Sequence, residues 1–196
     1  MKYAFSILIL LISFNAMSQE NMNDSIPYAV IPNAPDSYTP GSVVSRMIDG
    51  LGFRYYWATE GLTEKDLDYS PGNDGRSIAE TLGHLYGLSR TIVNSAKKEA
   101  TDFSVKPPEM TAEEQRKATL QNFKIASELF LKSEDLAAHK IIFKRPDNTS
   151  EFPFWNHING PIEDAVWHAG QIVLLRRSAG NPINPKVSVF QGKLRD

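Results

Sequence analysis

From residue 42 onward, apolar positions recur at steps of four and three and divide the chain into four helical segments. The first begins near Ser42, and Val44, Ile48, Leu51, Tyr55, Ala58 and Leu62 form one stripe along it. Gly50 and Gly52 weaken that helix locally but permit a close approach by a neighbour. After the turn-rich run Tyr69-Ser70-Pro71-Gly72-Asn73-Asp74-Gly75, Ser77 with Glu80 makes a capping box. A second stripe follows on Ile78, Leu82, Leu85, Ile92 and Ala96, ending at Lys97 and Lys98, where cations suit the helix dipole. Pro107-Pro108 breaks the chain, and Thr111 with Glu114 opens a third helix whose face carries Ala118, Phe123, Ala126, Leu129 and Phe130. Gly160-Pro161 opens the fourth, with Ile162, Ala165, Ile172, Leu175 and Ala179 apolar, and Gly180-Asn181-Pro182 ends it.

The connection between the third and fourth helices is long. Residues 140–144 and 151–155 flank the turn Pro146-Asp147-Asn148, which predicts two short strands or extended segments over one end of the helices. Pro153 argues against a central strand. The expected fold is therefore all-α: a four-helix bundle over residues 41–182, with a long crossover, carrying a short β-hairpin, between helices 3 and 4. Residues 183–196 read as a C-terminal tail. Residues 19–40 read as a tail too, because Pro27, Pro32, Pro35 and Pro40 forbid a regular helix, although Tyr28, Val30 and Ile31 could dock it on the domain.

Residues 1–18 read differently. A positive start at Lys2, the apolar run from Ala4 to Ile12 and the small residues of Ala16-Met17-Ser18 predict a signal peptide, too short for a membrane span. The expected location is exported, periplasmic or extracellular, with no integral membrane span after cleavage. The whole chain carries a net charge of −2, and losing Lys2 makes it slightly more acidic. That balance gives no basic patch for nucleic acid or an anionic membrane surface. The 196 residues include no Cys, which excludes disulfides, Cys-ligated zinc, a Cys nucleophile and an acylated-Cys anchor. Chemistry must come from other side chains, and there are only four His.

His168 interrupts the apolar stripe of the fourth helix between Ala165 and Ile172, so its ring needs a polar partner. Asp164 lies about 40° from it around the helix axis and one turn away, whereas Glu163 is about 140° away. On the second helix His84 shares a face with Thr81 and Leu88 at the edge of the buried stripe. Spacing leaves two readings open. In one, the two His are hydrogen-bonded core residues and Asp164 simply favours the positive end of its helix. In the other, His84, Asp164 and His168 form a facial site for a divalent metal (Zn, Ni, Mn or Fe), with open positions for a water that the metal activates. His139 and His157 are expected to face solvent or cap helices. Tyr55, Tyr56, Trp57, Tyr86, Trp155 and Trp167 are candidates for the mouth of a pocket, with Tyr56, Tyr86, Trp155 and Trp167 the expected substrate contacts. Glu80 or His157 is a candidate base or ligand-orienting group.

Two segments carry a family resemblance. The run from Asp164 through Trp167-His168-Ala169-Gly170-Gln171 to Arg176-Arg177-Ser178-Ala179-Gly180-Asn181-Pro182 resembles the last helix of the DinB superfamily. Ser77-Ile78-Ala79-Glu80-Thr81-Leu82-Gly83-His84-Leu85 resembles its second helix, and the likeness spans about residues 42–182. It implies a metal held by one His from the second helix and two residues four apart on the last, here His84, Asp164 and His168. Asp164 departs from the usual His, but a carboxylate is a competent ligand for these metals. Some relatives are thiol-dependent transferases or isomerases, and others resemble metal-dependent hydrolases. Export favours hydrolysis, which needs only water, over a cytosolic thiol cosubstrate. A non-catalytic bundle binding a metal or small ligand is the alternative. Related bundles often dimerise, so a homodimer is within the expectation.

Overall fold

The computed structural model describes residues 26–196. The expected signal segment 1–18 lies outside them, and no helix among the described residues is long and apolar enough to cross a membrane. The chain is mostly helical with a few short strands: α1 (Pro40–Thr59), α2 (Glu64–Leu67), α3 (Ile78–Lys97), β1 (Thr101–Asp102), α4 (Ala112–Leu131), β2 (Ile141–Lys144), β3 (Thr149–Phe152), α5 (Trp155–His157), α6 (Glu163–Ser178), β4 (Val187–Ser188) and β5 (Lys193–Leu194).

Side-chain caps start the first three long helices. Ser77 with Glu80 and Thr111 with Glu114 close capping boxes at α3 and α4. Thr39 with Ser42 does the same at α1, with Pro40 in the first turn, so this helix begins two residues before the expected Ser42. A Ser in the place usually held by Glu or Gln hides this box from a pattern search. The apolar stripes meet in one core: Val44, Ile48, Leu51 and Tyr55 of α1, Ile78, Leu82, Leu85 and Ile92 of α3, Phe123 and Phe130 of α4, and Ala165 and Ile172 of α6. Each such Leu, Ile or Phe contributes about 1.5–3 kcal/mol by leaving water.

The four long helices pack around that core in the order α1, α4, α3, α6 and back to α1. Side-chain bonds fix their directions. Ser45 meets Ser127 at 2.8 Å, and Arg116 near the start of α4 donates to Thr59 at the end of α1, so those helices are antiparallel. Asn122 donates to Ser89, and Gly83 lies beside Gln115, so α3 and α4 run parallel. Arg176 near the end of α6 donates to the Ala58 and Glu60 carbonyls at the end of α1, capping groups the helix leaves unpaired.

This topology corrects the expected crossover. Segment 98–111, between α3 and α4, runs the length of the molecule, as a connection between parallel helices must. The longer connection from α4 to α6 starts and ends together, since Phe130 contacts Phe154 and His157. It does carry the hairpin: β2 pairs antiparallel with β3, and β1 adds a parallel strand. Strand β3 stops at Phe152, immediately before Pro153.

The fourth helix also enters differently from expectation. A wide turn over Ile158–Ile162 joins α5 to α6, with Gly160 at φ −97°, ψ −107°. Pro161 has no N–H to donate, so the helical ladder loosens around it and regular α-helix starts at Glu163.

The described part of the N-terminal tail, from residue 26, and the C-terminal tail are built into the domain. Tyr28 is buried, and its ring lies where a Cβ on Gly52 would stand 2.6 Å away, so Gly52 admits this segment rather than another helix. The Tyr28 hydroxyl and Ser127 Oγ both donate to the buried Asp49 carboxylate, at 3.1 and 2.6 Å. At the other terminus β4 and β5 form a hairpin, and Ile31 N–H donates to the Gly192 carbonyl at 2.8 Å.

Candidate metal centre

Packing on two helices sets the site. On α3, Leu82 and Leu85 are buried on either side of His84, which leaves the imidazole at the margin of the seam with α6. On α6, the small buried residues Ala165 and Ala169 allow that helix to come close. Asp164, His168 and Gln171 follow one another at steps of four and three, so they line a single stripe.

The Asp164 carboxylate bridges the two imidazoles. Its Oδ2 lies 3.2 Å from His84 Nε2, and its Oδ1 lies 3.3 Å from His168 Nε2. The rings themselves stand edge to face, with centroids 4.5 Å apart. Ligand atoms each about 2.0–2.1 Å from a common metal, at tetrahedral or octahedral angles, are separated by roughly 2.9–3.4 Å. The two short contacts use different carboxylate oxygens; taken one ligand atom per residue, the three lie within 4.8 Å of one another, close enough for a divalent ion to draw them together. The side chains of Asp164, His84 and His168 keep 37, 31 and 14% of their exposure, so one side of the cluster faces solvent.

A further contact bears on the chemistry. His168 Nδ1 is 2.5 Å from Gln171 Oε1, an atom that can only accept, so Nδ1 carries the hydrogen. In the neutral ring Nε2 is then a bare lone pair facing a carboxylate oxygen. Two acceptors at that distance require a cation or a proton between them.

No family model, curated protein or solved structure matches this chain.

Of the other candidates, Glu163 is exposed, as its position away from His168 predicts. Glu80 accepts from the Ser77 backbone N–H at 2.8 Å, so its carboxylate is engaged in the cap. Tyr56 lies beneath the Arg116 guanidinium, 4.8 Å from its ring centre, and edge-on to Trp57. Tyr55 is fully buried against Phe123, which corrects its candidacy for a pocket mouth. Tyr86 is half-buried, and Trp155 and Trp167 are exposed at 75 and 71%.

The other two histidines are corrections. Neither faces solvent, although the His139 ring does reach a carbonyl in the last turn of α3. The α4–α6 connection folds back over the ends of α3 and α4 and drives both inward. His139 is 3% exposed, its Nδ1 bonding the Ser95 carbonyl at 3.1 Å and its Nε2 meeting Ser133 Oγ at 2.8 Å. His157 is fully buried, stacked on Phe154 and edge-on to Phe130, and its ring meets no polar side chain among the described residues, with the Ile92 backbone as its polar neighbour. Burial pushes its pKa down to about 4. It sits beside Ile92, two turns of α3 or roughly 12 Å from His84, too far to orient a ligand there.

Two polar residues in the last helix escaped the sequence reading. Gln171 was legible as the residue three beyond a ligand candidate. Buried Arg176 donates locally to Asn181 and across the fold to carbonyls at the end of α1, and the second set of partners leaves no mark in the nearby sequence.

Proposed function

We propose that this protein is an exported bundle of DinB type that holds a divalent metal on His84, Asp164 and His168 and hydrolyses a small-molecule substrate there. The observation that carries the reading is the carboxylate set between two imidazoles, with ligand atoms 3.2 and 3.3 Å apart across two helices. The arrangement matches what the resemblance implies: one ligand from the second long helix and two, four residues apart, from the last.

The residues define what such a site can do. Two neutral imidazoles and one carboxylate offset only one of two positive charges, leaving the centre cationic towards an anionic or carbonyl oxygen. Among the described residues no fourth His, Asp or Glu joins the cluster, and its partial exposure leaves it reachable from solvent. A divalent ion bound there supplies Lewis acidity and lowers the pKa of a coordinated water towards neutrality. The carboxylate suits Zn, Ni, Mn and Fe alike.

The test is elemental analysis of residues 19–196 purified without a His tag, beside His84→Ala and His168→Ala. Near-stoichiometric metal in the parent and loss in both variants is expected. A screen of carboxylic and phosphoric esters and amides with the loaded protein then follows. No metal after incubation with Zn, Ni, Mn and Fe overturns the metal reading, and a loaded protein inert to every substrate class leaves a binding bundle in place of a hydrolase.

A further inference from the structure

Within that metal reading, we infer that Gln171 is a positioning residue: it holds the hydrogen of His168 on Nδ1, so that Nε2 presents its lone pair to the ligand cluster. A neutral imidazole has one N–H and one lone pair, and its surroundings decide which nitrogen carries which. Without Gln171 the favoured arrangement is clear, because an N–H at Nε2 could donate to Asp164 Oδ1, 3.3 Å away. That pairing would satisfy both groups and close the site. Gln171 Oε1, 2.5 Å from Nδ1, competes for the same hydrogen from the opposite edge of the ring.

The consequence is an Nε2 lone pair and a carboxylate oxygen facing each other. The local repulsion is relieved when a cation enters between them. Gln171 thus trades a comfortable His–Asp hydrogen bond for an open ligand pair. The spacing makes this a property of one helix, since Asp164, His168 and Gln171 occupy one stripe of α6 at steps of four and three. The α6 half of the site is preset before α3 contributes anything. His84 differs, because among the described residues its hydrogen-bond contact is the Asp164 carboxylate itself.

The experiment compares the parent with Gln171→Leu and Gln171→Glu. Gln171 is exposed, so neither change disturbs the core, and circular dichroism checks that the helices persist. The first readout is a long-range ¹⁵N–¹H spectrum of the metal-free protein at about pH 9, where histidines are neutral. His168 is expected as the Nδ1–H tautomer in the parent and in Gln171→Glu, and as the Nε2–H tautomer in Gln171→Leu. The second readout is Zn²⁺ affinity by competition with a chelator. Gln171→Leu is expected to weaken it by about 10–100-fold, and Gln171→Glu to preserve it. An unchanged tautomer in Gln171→Leu overturns the inference, whatever the metal does. Equal Zn²⁺ affinities, in a parent that does bind, overturn it as well. A parent that binds no Zn²⁺ while its tautomer still follows residue 171 refutes the metal reading and upholds the assignment to Gln171.

Discussion

Two pairs of histidines occupy two regions of this molecule, and they have opposite surroundings. His84 and His168 lie partly open at the α3–α6 seam, with a carboxylate between them. His139 and His157 are buried where α3 and α4 end, among Phe130 and Phe154, with hydroxyl and carbonyl partners for one and only the Ile92 backbone beside the other. The residue type is the same, and the difference lies in what faces the ring. A carboxylate and access to water make the first pair a candidate ligand set, while the second pair consists of aromatic core residues with polar edges. Burial alone is a poor guide to chemistry, since the more buried pair is the less suited to it.

The sharpest break between the two regions is metal content. His84→Ala and His168→Ala should each abolish it, whereas His139→Phe and His157→Phe should leave it unchanged by elemental analysis. Stability should respond in the reverse order. His157→Ala opens a cavity beneath Phe130 and Phe154 and should cost about 3 kcal/mol by urea denaturation. His84→Ala, at a half-exposed position, should cost no more than about 1 kcal/mol in the metal-free protein.

Acid should act through the buried pair. His157 is held near pKa 4 in the folded protein against 6.5 when unfolded, so between those values the unfolded chain binds more protons. Stability is therefore full above pH 6.5 and falls as the pH drops towards 4, by an amount on the order of 3 kcal/mol. Urea midpoints measured from pH 7 to pH 4 check this, and His157→Phe should flatten that part of the profile.

The smallest expected effect is the most pointed. His157→Phe keeps the ring volume and removes a buried polar edge that meets only the Ile92 backbone, so it should change stability by no more than about 1 kcal/mol. A clear loss of stability would mean that the polar edge of His157 is a stabilising group in the folded protein, and it would erase the contrast between the two regions.

The stripe residues Ile48, Leu51, Leu82, Leu85 and Phe123 and the boxes at Ser77 and Thr111 were readable in the chain, because helix periodicity and capping are settled within a few residues. So was the placing of Asp164 beside His168 on one helix face, which follows from 3.6 residues per turn. Whether His84 would meet them was a question about two helices 80 residues apart, answered by how Leu85 on one and Ala165 and Ala169 on the other set their rotation and closeness. The direction of α4, the end-to-end run of segment 98–111 and the burial of His139 and His157 were likewise decided by the tertiary structure. Those residues lie in connections, where no periodicity marks an inner face and only the folded core determines which side chains are covered.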